Sequence, residues 1–182
     1  MSSPSDHLDL PMRRATAADI PAIHALVERG YREKGTDGWT SESDLFESAR
    51  TDPAALVEII ADPQQQLLVA ADAAGIFGCV VVAAKDAATA YMGLLCVDPA
   101  RQAAGIGRRL IAAAEAAAAQ HFGAAHMEMT VIDRRHDLIE YYRRRGYEPT
   151  GEIRPMPAAA GPTTVPVALR VLSRVIGAAR PA

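Results

Sequence analysis

Apolar positions recur at two periods along the chain. Ile20, Ile23, Leu26 and Val27 follow helical spacing. Asp19 can cap that helix, and its first turn tolerates Pro21 because the missing amide there would be unpaired. Gly30 marks its predicted end. Leu10–Arg14 reads as a short strand before it. Thr40 or Ser41 can cap a second short helix with Leu45 and Phe46 turned inward. Asp52-Pro53 is a cap followed by proline at the first helical position, which opens a helix through Leu56, Ile59 and Ile60 that Asp62-Pro63 stops.

The period then shortens. Leu67–Ala71 and Ile76–Ala84 are β-rich runs joined by Ala73-Ala74-Gly75, a predicted hairpin. Ala90–Val97 is a third apolar run, closed by Asp98-Pro99. Gly105 to His121 is rich in alanine, the best helix former, and Gly123 ends it. In His126–Ile132, Met127, Met129 and Val131 alternate with Glu128 and Thr130, the pattern of a half-buried strand. Arg135–Arg145 places Leu138, Ile139 and Tyr142 on one helix face, with Gly146 as C-cap. Tyr147–Arg154 reads as a strand, Pro155–Pro166 as a loop and Val167–Leu172 as a last strand. This order predicts a mixed α/β fold, a central sheet covered by helices. Residues 10–172 form one domain, between a loose polar segment at 1–9 and a tail at 173–182.

Composition narrows the function classes. The 182 residues are 49% hydrophobic and 23% charged, enough apolar content to exclude disorder of the whole chain. The formal net charge of −3 argues against a nucleic-acid partner. Lys34 and Lys85 are the only lysines, a bias toward arginine that discounts arginine clusters as functional signals. Cys79 and Cys96 sit in apolar runs and read as buried thiols. The five histidines show no metal-ligand spacing, so no metal is expected. The opening residues lack a signal-peptide pattern, and no run of about 18 apolar residues exists. A cytoplasmic location without membrane association is the expectation.

The chemistry concentrates in Leu94 to Leu110. A buried strand ends at proline, and Gly105 and Gly107 stand at the mouth of an Ala-rich helix. Amides at such a mouth lack internal partners, and the helix dipole adds about half a positive charge. Small residues there let an anion reach the backbone, a phosphate or pyrophosphate site. A dinucleotide-binding fingerprint would need glycine at position 110, which is leucine. A P-loop would need Lys-Ser/Thr after Gly107, where Arg108-Arg109 stand. The glycines alone also fit a tight strand-to-helix turn.

Val97, Pro99, Gln102, Gly105 and Gly107 match V-x-P then Q/R-x-x-G-x-G/A, and here the sequence resembles the GNAT superfamily of N-acetyltransferases. Tyr142, Gly146 and Tyr147 match a second family pattern, although Arg135 stands where the family often has asparagine. Gly38-Trp39-Thr40-Ser41-Glu42 and Tyr147–Glu152 are similar to a bacterial subgroup. The resemblance implies a GNAT-like mixed sheet of six to seven strands, splayed between strands four and five and flanked by helices. It implies acetyl-CoA as donor. Backbone groups of Leu95, Cys96 and Val97 would meet the pantetheine arm, and one amide would polarise the thioester carbonyl. The pyrophosphate would sit on amides of Ala103, Ala104, Gly105, Ile106, Gly107 and Arg108, with Gln102 shaping the loop. Gly93 would mark the bulge that opens the sheet, or only a weak point in the strand.

The implied chemistry is attack of a neutral amine on the thioester. Tyr142 is the implied donor to the leaving thiolate. A phenol near pKa 10 is a weaker acid than a thiol near 8.5, so full transfer would cost roughly 2 kcal/mol, and a hydrogen bond is the expected role. Family members often carry a glutamate base on strand four, but Tyr91-Met92-Gly93 occupy that region. Glu128 is the first substitute and Glu42 the second. Trp39 reads as an acceptor-pocket wall or as core. Arg135 could reach a CoA phosphate, with Arg108 or Arg109 contributing; Arg143–Arg145 also fit a helix C-terminus. The leading expectation is an N-acetyltransferase acting on a small amine, an amino acid derivative or a peptide N-terminus. An acyl-CoA-binding sensor without turnover and an enzyme using a longer acyl group are the alternatives. A homodimer through the C-terminal strands is a further expectation from the resemblance.

Overall fold

In the computed structural model, residues 11–32, 42–46 and 48–177 are described, with the side chains of Ala103 and Ala104 excepted. Among these residues, seven strands and four α-helices follow in the order β1 (Met12–Arg14), α1 (Ile20–Arg32), α2 (Pro53–Ala61), β2 (Gln65–Asp72), β3 (Gly75–Ala84), β4 (Thr89–Val97), α3 (Ile106–Phe122), β5 (His126–Ile132), α4 (His136–Arg143), β6 (Glu148–Pro155) and β7 (Ala168–Val175). The strands form one sheet in the order β1-β2-β3-β4-β5-β7-β6. β4 and β5 are parallel, and the other neighbours are antiparallel.

Each face of the sheet has its own core. Leu67, Val69, Cys79, Val81 and Cys96 pack under Ile23, Leu26 and Val27 of α1 and Leu56 of α2. Val80, Val82, Met92, Val97 and Met127 pack under Leu110, Ala114 and Ala118 of α3 and Ile139 of α4. The side-chain period of two along each strand sorts residues between these faces. β4 breaks that period. Met92 and Leu95 lie on the same face although they are three positions apart. Pairing with β3 shifts by one residue between Cys79↔Cys96 and Val81↔Gly93, so an extra residue bulges from β4. Leu94 has φ +50, a left-handed conformation that a non-glycine residue adopts at a cost.

The bulge lies where the sheet opens. The β4–β5 ladder contains only Thr89↔His126, Ala90↔Met127 and Tyr91↔Glu128. Beyond Tyr91 the two strands diverge, while β5 stays paired to β7 through Ile132↔Leu169.

Several sequence expectations shift. α1 continues through Tyr31 and Arg32, because Gly30 is a buried helical residue and not a cap. Residues 42–46 make one turn, with no helix among the described residues there, since Phe46 bridges to Thr163 and the chain is drawn out of helical geometry. β7 runs to Val175, so residues 173–175 belong to the sheet and not to a tail: Ser173, Arg174 and Val175 pair with Glu128, Met127 and His126. Residues 1–9, Leu10, Trp39 and the caps at Thr40 and Ser41 lie outside the described residues.

Candidate active site

The divergence of β4 and β5 leaves a cleft of about 220 Å³. Tyr91 to Leu95 form one wall, Met129 to Ile132 the other, and Tyr142 of α4 closes one side. Tyr31 and Arg32 reach in from the last turn of α1, and Glu42, Phe46 and Arg50 from the segment after it. Met156, Pro157, Ala160 and Leu169 complete the lining. The volume is below the roughly 300–1,000 Å³ of pockets that enclose whole small ligands. It suits the reacting ends of two molecules whose remainders lie outside.

Tyr142 is 6% exposed, and its hydroxyl has no hydrogen-bond partner among the described residues. Its ring meets those of Tyr141 at 5.3 Å and Tyr147 at 6.0 Å, both edge-on. Tyr147 is fully buried and donates its hydroxyl to Glu115 Oε1 at 2.8 Å, which Arg174 also contacts at 2.8 Å. Gly146, at φ +83, makes the left-handed turn that brings Tyr147 behind Tyr142. Burial pushes the Tyr142 phenol well above its ordinary pKa. It therefore stays protonated, a hydrogen-bond donor aimed at the cleft.

Tyr31 donates its hydroxyl to the Leu95 carbonyl at 2.7 Å, fixing the bulged segment from the α1 side. Cys79 Sγ lies 3.6 Å from the Leu94 carbonyl, and Cys96 Sγ lies 3.6 Å from the Leu26 carbonyl. Both thiols are fully buried; burial pushes Cys96 up to about 12 and Cys79 well above the usual thiol range. Cys96 and Val97 can offer ligand only their backbone, since both side chains are in the core.

At the end of β4, Asp98 caps a 3-10 turn over Pro99–Ala104 by accepting from Ala100 N at 3.0 Å. Arg29 pairs with Asp98 at 2.8 Å, and the Gln102 amide donates to the Val97 carbonyl at 3.3 Å. Gly105 then adopts φ +70 and reverses the chain into α3. The first α3 amide bonded back into this turn is that of Arg109, 3.3 Å from the Gly105 carbonyl. The amides of Ile106, Gly107 and Arg108 precede it and have no backbone partner among the described residues, as expected of a helix mouth. Among the described residues, a Cβ on Gly105 would meet only the Arg108 guanidinium, at 3.9 Å. These donors, small residues and an exposed arginine fit the diphosphate of a CoA thioester.

The carboxylate expected to act as base is not among the residues that line the cleft. Glu128 is 7% exposed and sits in the last β4–β5 pair, opposite Tyr91. Lys85 Nζ holds one oxygen at 2.6 Å and Arg154 the other at 2.8 Å. Sequence alternation put Glu128 on the correct strand, but two distant cations occupy its lone pairs. Glu42 does line the cleft, paired with Arg32 at 2.9 Å. The bulge falls at Leu94–Leu95, just beyond Gly93. Arg135 lines the cleft beside Leu138 and Tyr142, and pairs with Asp137 at 3.0 Å. Among the described residues, no group of three or more His, Cys, Asp or Glu could hold a metal, and no helix is long and apolar enough to cross a membrane.

Tyr31, Arg32, Phe46 and Arg50 were not singled out as site residues from the sequence. Tyr31 follows a glycine that reads as a helix end, which hid its place on the helix face. Nothing local marks Arg50.

An acetyltransferase (GNAT) domain family matches residues 29–157. No curated protein sequence matches. Among solved structures, the ribosomal-protein-S18-alanine N-acetyltransferase of Escherichia coli superposes with a TM-score of 0.69 at 14% identity, covering 93% of this chain and 96% of that one. Ard1 of Thermoplasma volcanium gives a TM-score of 0.70 at 14% identity, covering 92% and 98%. A variant of spermidine N-acetyltransferase from Vibrio cholerae gives 0.66 at 17%, covering 92% and 95%. The family match spans most of the chain, and with the splayed sheet it establishes the class: this chain belongs to the GNAT acetyltransferases. Acetyl-CoA is the donor in that family.

Proposed function

We propose that the protein transfers the acetyl group of acetyl-CoA to a primary amine by direct attack on the thioester. The C–N bond forms, the C–S bond breaks, the amine loses one proton, and CoA leaves as a thiolate that is then protonated. The observation that carries this reading is Tyr142, whose unpartnered, protonated hydroxyl lines the cleft between β4 and β5.

The α3 mouth, with amides from Gly105 to Arg108 and the loop of Gln102, Ala103 and Ala104, binds the diphosphate. Backbone groups of Leu95, Cys96 and Val97 border the thioester arm, with one bulge amide toward its carbonyl. Tyr142 stabilises the departing sulfur by a hydrogen bond. Proton transfer from it is uphill in water by about 2 kcal/mol, and burial raises that cost. Glu42 takes the place expected of Glu128 and receives the amine proton, directly or through water. Arg135 holds the Tyr142 side of the cleft; Arg108 adds positive charge at the diphosphate.

The test is thiol release from acetyl-CoA across an amine panel, beside acetyl-CoA-dependent thermal stabilisation. A ligand at about 100 times its Kd should add roughly 2.7 kcal/mol. Tyr142→Phe should keep that stabilisation and lower kcat by about 10- to 100-fold, the loss of one transition-state hydrogen bond. Unchanged kcat in Tyr142→Phe would overturn the role of the hydroxyl. Stabilisation without thiol release from any amine would favour an acyl-CoA sensor.

A further inference from the structure

The cleft is lined by three guanidinium groups, Arg32, Arg50 and Arg135, and among the described lining residues by a single carboxylate, Glu42. Two of the three cations have anionic partners. Arg32 holds Glu42 at 2.9 Å and also donates to the Ser48 carbonyl at 2.7 Å. Arg135 engages both Asp137 oxygens, at 3.1 and 3.0 Å. Arg50 pairs with no carboxylate among the described residues.

Arg50 is nevertheless held in place. Its guanidinium lies over the Tyr31 ring, 5.0 Å from the centroid, and that ring is anchored through its hydroxyl to Leu95. Its backbone amide and that of Thr51 both donate to Glu28 Oε1, at 2.8 and 2.9 Å. A half-buried, stacked guanidinium offers a planar fork of donors that matches a carboxylate.

We propose that Arg50 binds a carboxylate of the acceptor, and hence that the acceptor is a free amino acid or a similarly small amine carrying a carboxylate. The proposal rests on the transferase reading above and names its substrate class. Glu42 and Arg50 line the same cleft with opposite charges, the two ends needed to orient a zwitterion. Phe46, Met156 and Leu169 give the cleft an apolar side that suits an aliphatic side chain. A polyamine would bring several cations to a lining already rich in guanidinium. A protein N-terminus would bring no carboxylate beside its amine.

The experiment compares leucine, leucinamide, isoamylamine and spermidine as acceptors, reading thiol release. Leucine should exceed leucinamide and isoamylamine by at least about tenfold in kcat/KM, because each leaves Arg50 unpaired. In Arg50→Gln the leucine KM should rise by about tenfold or more and the leucine-to-leucinamide ratio should fall toward one. Arg50→Lys, which keeps the charge but not the fork, should fall between. Binding of N-acetyl-leucine and N-acetyl-leucinamide by calorimetry, with and without CoA, needs neither turnover nor a variant. Tighter N-acetyl-leucine supports the proposal. Equal affinities, or faster turnover of leucinamide or spermidine, overturn it while leaving acetyl-CoA binding and the transferase reading intact. Carboxylate-selective binding in a protein that ignores acetyl-CoA would sink the transferase reading and keep the Arg50 assignment.

Discussion

The Tyr31 hydroxyl and the Leu95 carbonyl meet at 2.7 Å although 64 residues of chain separate them. The contact joins the last turn of α1 to the bulge that parts β4 from β5. Burial raises the Tyr31 pKa well above the usual phenol range, so the hydroxyl remains a donor. Tyr31 thus couples β4 to the segment that carries Arg50.

Tyr31→Phe removes this donor and strands a buried carbonyl. It should lower unfolding stability by about 1–3 kcal/mol, the usual cost of an unsatisfied buried group. The bulge should also loosen, raising the KM for acetyl-CoA. Urea unfolding and steady-state kinetics read the two effects; a variant as stable as the parent would show that the hydrogen bond does not stabilise the fold.

Gly105→Ala tests the turn into α3. At φ +70 a Cβ is strained even though space is open around it. The strain should cost about 1–2 kcal/mol, seen as a lower Tm. Any relaxation of the turn moves the amides at the helix mouth, so stabilisation by acetyl-CoA should shrink as well. A full acetyl-CoA response in this variant would argue against the mouth as the diphosphate site.

Glu42 and Glu128 separate by substitution. Glu42→Gln should lower kcat/KM by about 10²-fold or more at neutral pH, the range of a lost general base. Glu128→Gln should change kcat by less than roughly threefold, under 1 kcal/mol. It should instead lower stability by about 1 kcal/mol, a figure reduced for the solvent exposure of Lys85 and Arg154. The reverse pattern would return Glu128 to the base role.

Alkaline pH should destabilise the fold. Tyr31, Tyr142, Tyr147, Cys79 and Cys96 all bind their protons more tightly when folded, chiefly because burial opposes the charged form. The unfolded chain releases these protons first, at about pH 8.5–10. Their contribution is therefore intact below about pH 8 and is lost as pH rises toward about 12, where Cys96 itself titrates. Each group ionised only in the unfolded state steepens the loss by about 1.4 kcal/mol per pH unit. Urea midpoints between pH 8 and 11 should fall progressively; a flat profile would show that these groups are accessible when folded.

Element order was readable because it depends on local period and punctuation. Ile20, Ile23, Leu26 and Val27 repeat at helical spacing, Asp52-Pro53 starts a helix, and Gly123 and Gly146 end theirs at positive φ. Gly105 and Gly107 were readable for a related reason, since a sharp strand-to-helix turn needs residues without side chains. The bulge was only approximately legible. Gly93 attracts attention as a glycine in a strand, but the strained residue is Leu94, which its side chain does not announce.

What the sequence alone determined is therefore most of the elements, the loop at the mouth of α3 and the tyrosine of α4, each specified within a few consecutive residues. Only the tertiary structure decided which carboxylate lines the cleft and which of its cations has no carboxylate partner among the described residues. Glu128 is claimed by Lys85, 43 residues before it, and by Arg154, 26 residues after it. Arg50 acquires its place from the Tyr31 ring and the Glu28 carboxylate. A charge is assigned by its nearest partners in space, and chain folding chooses those partners across distances that local pattern does not encode.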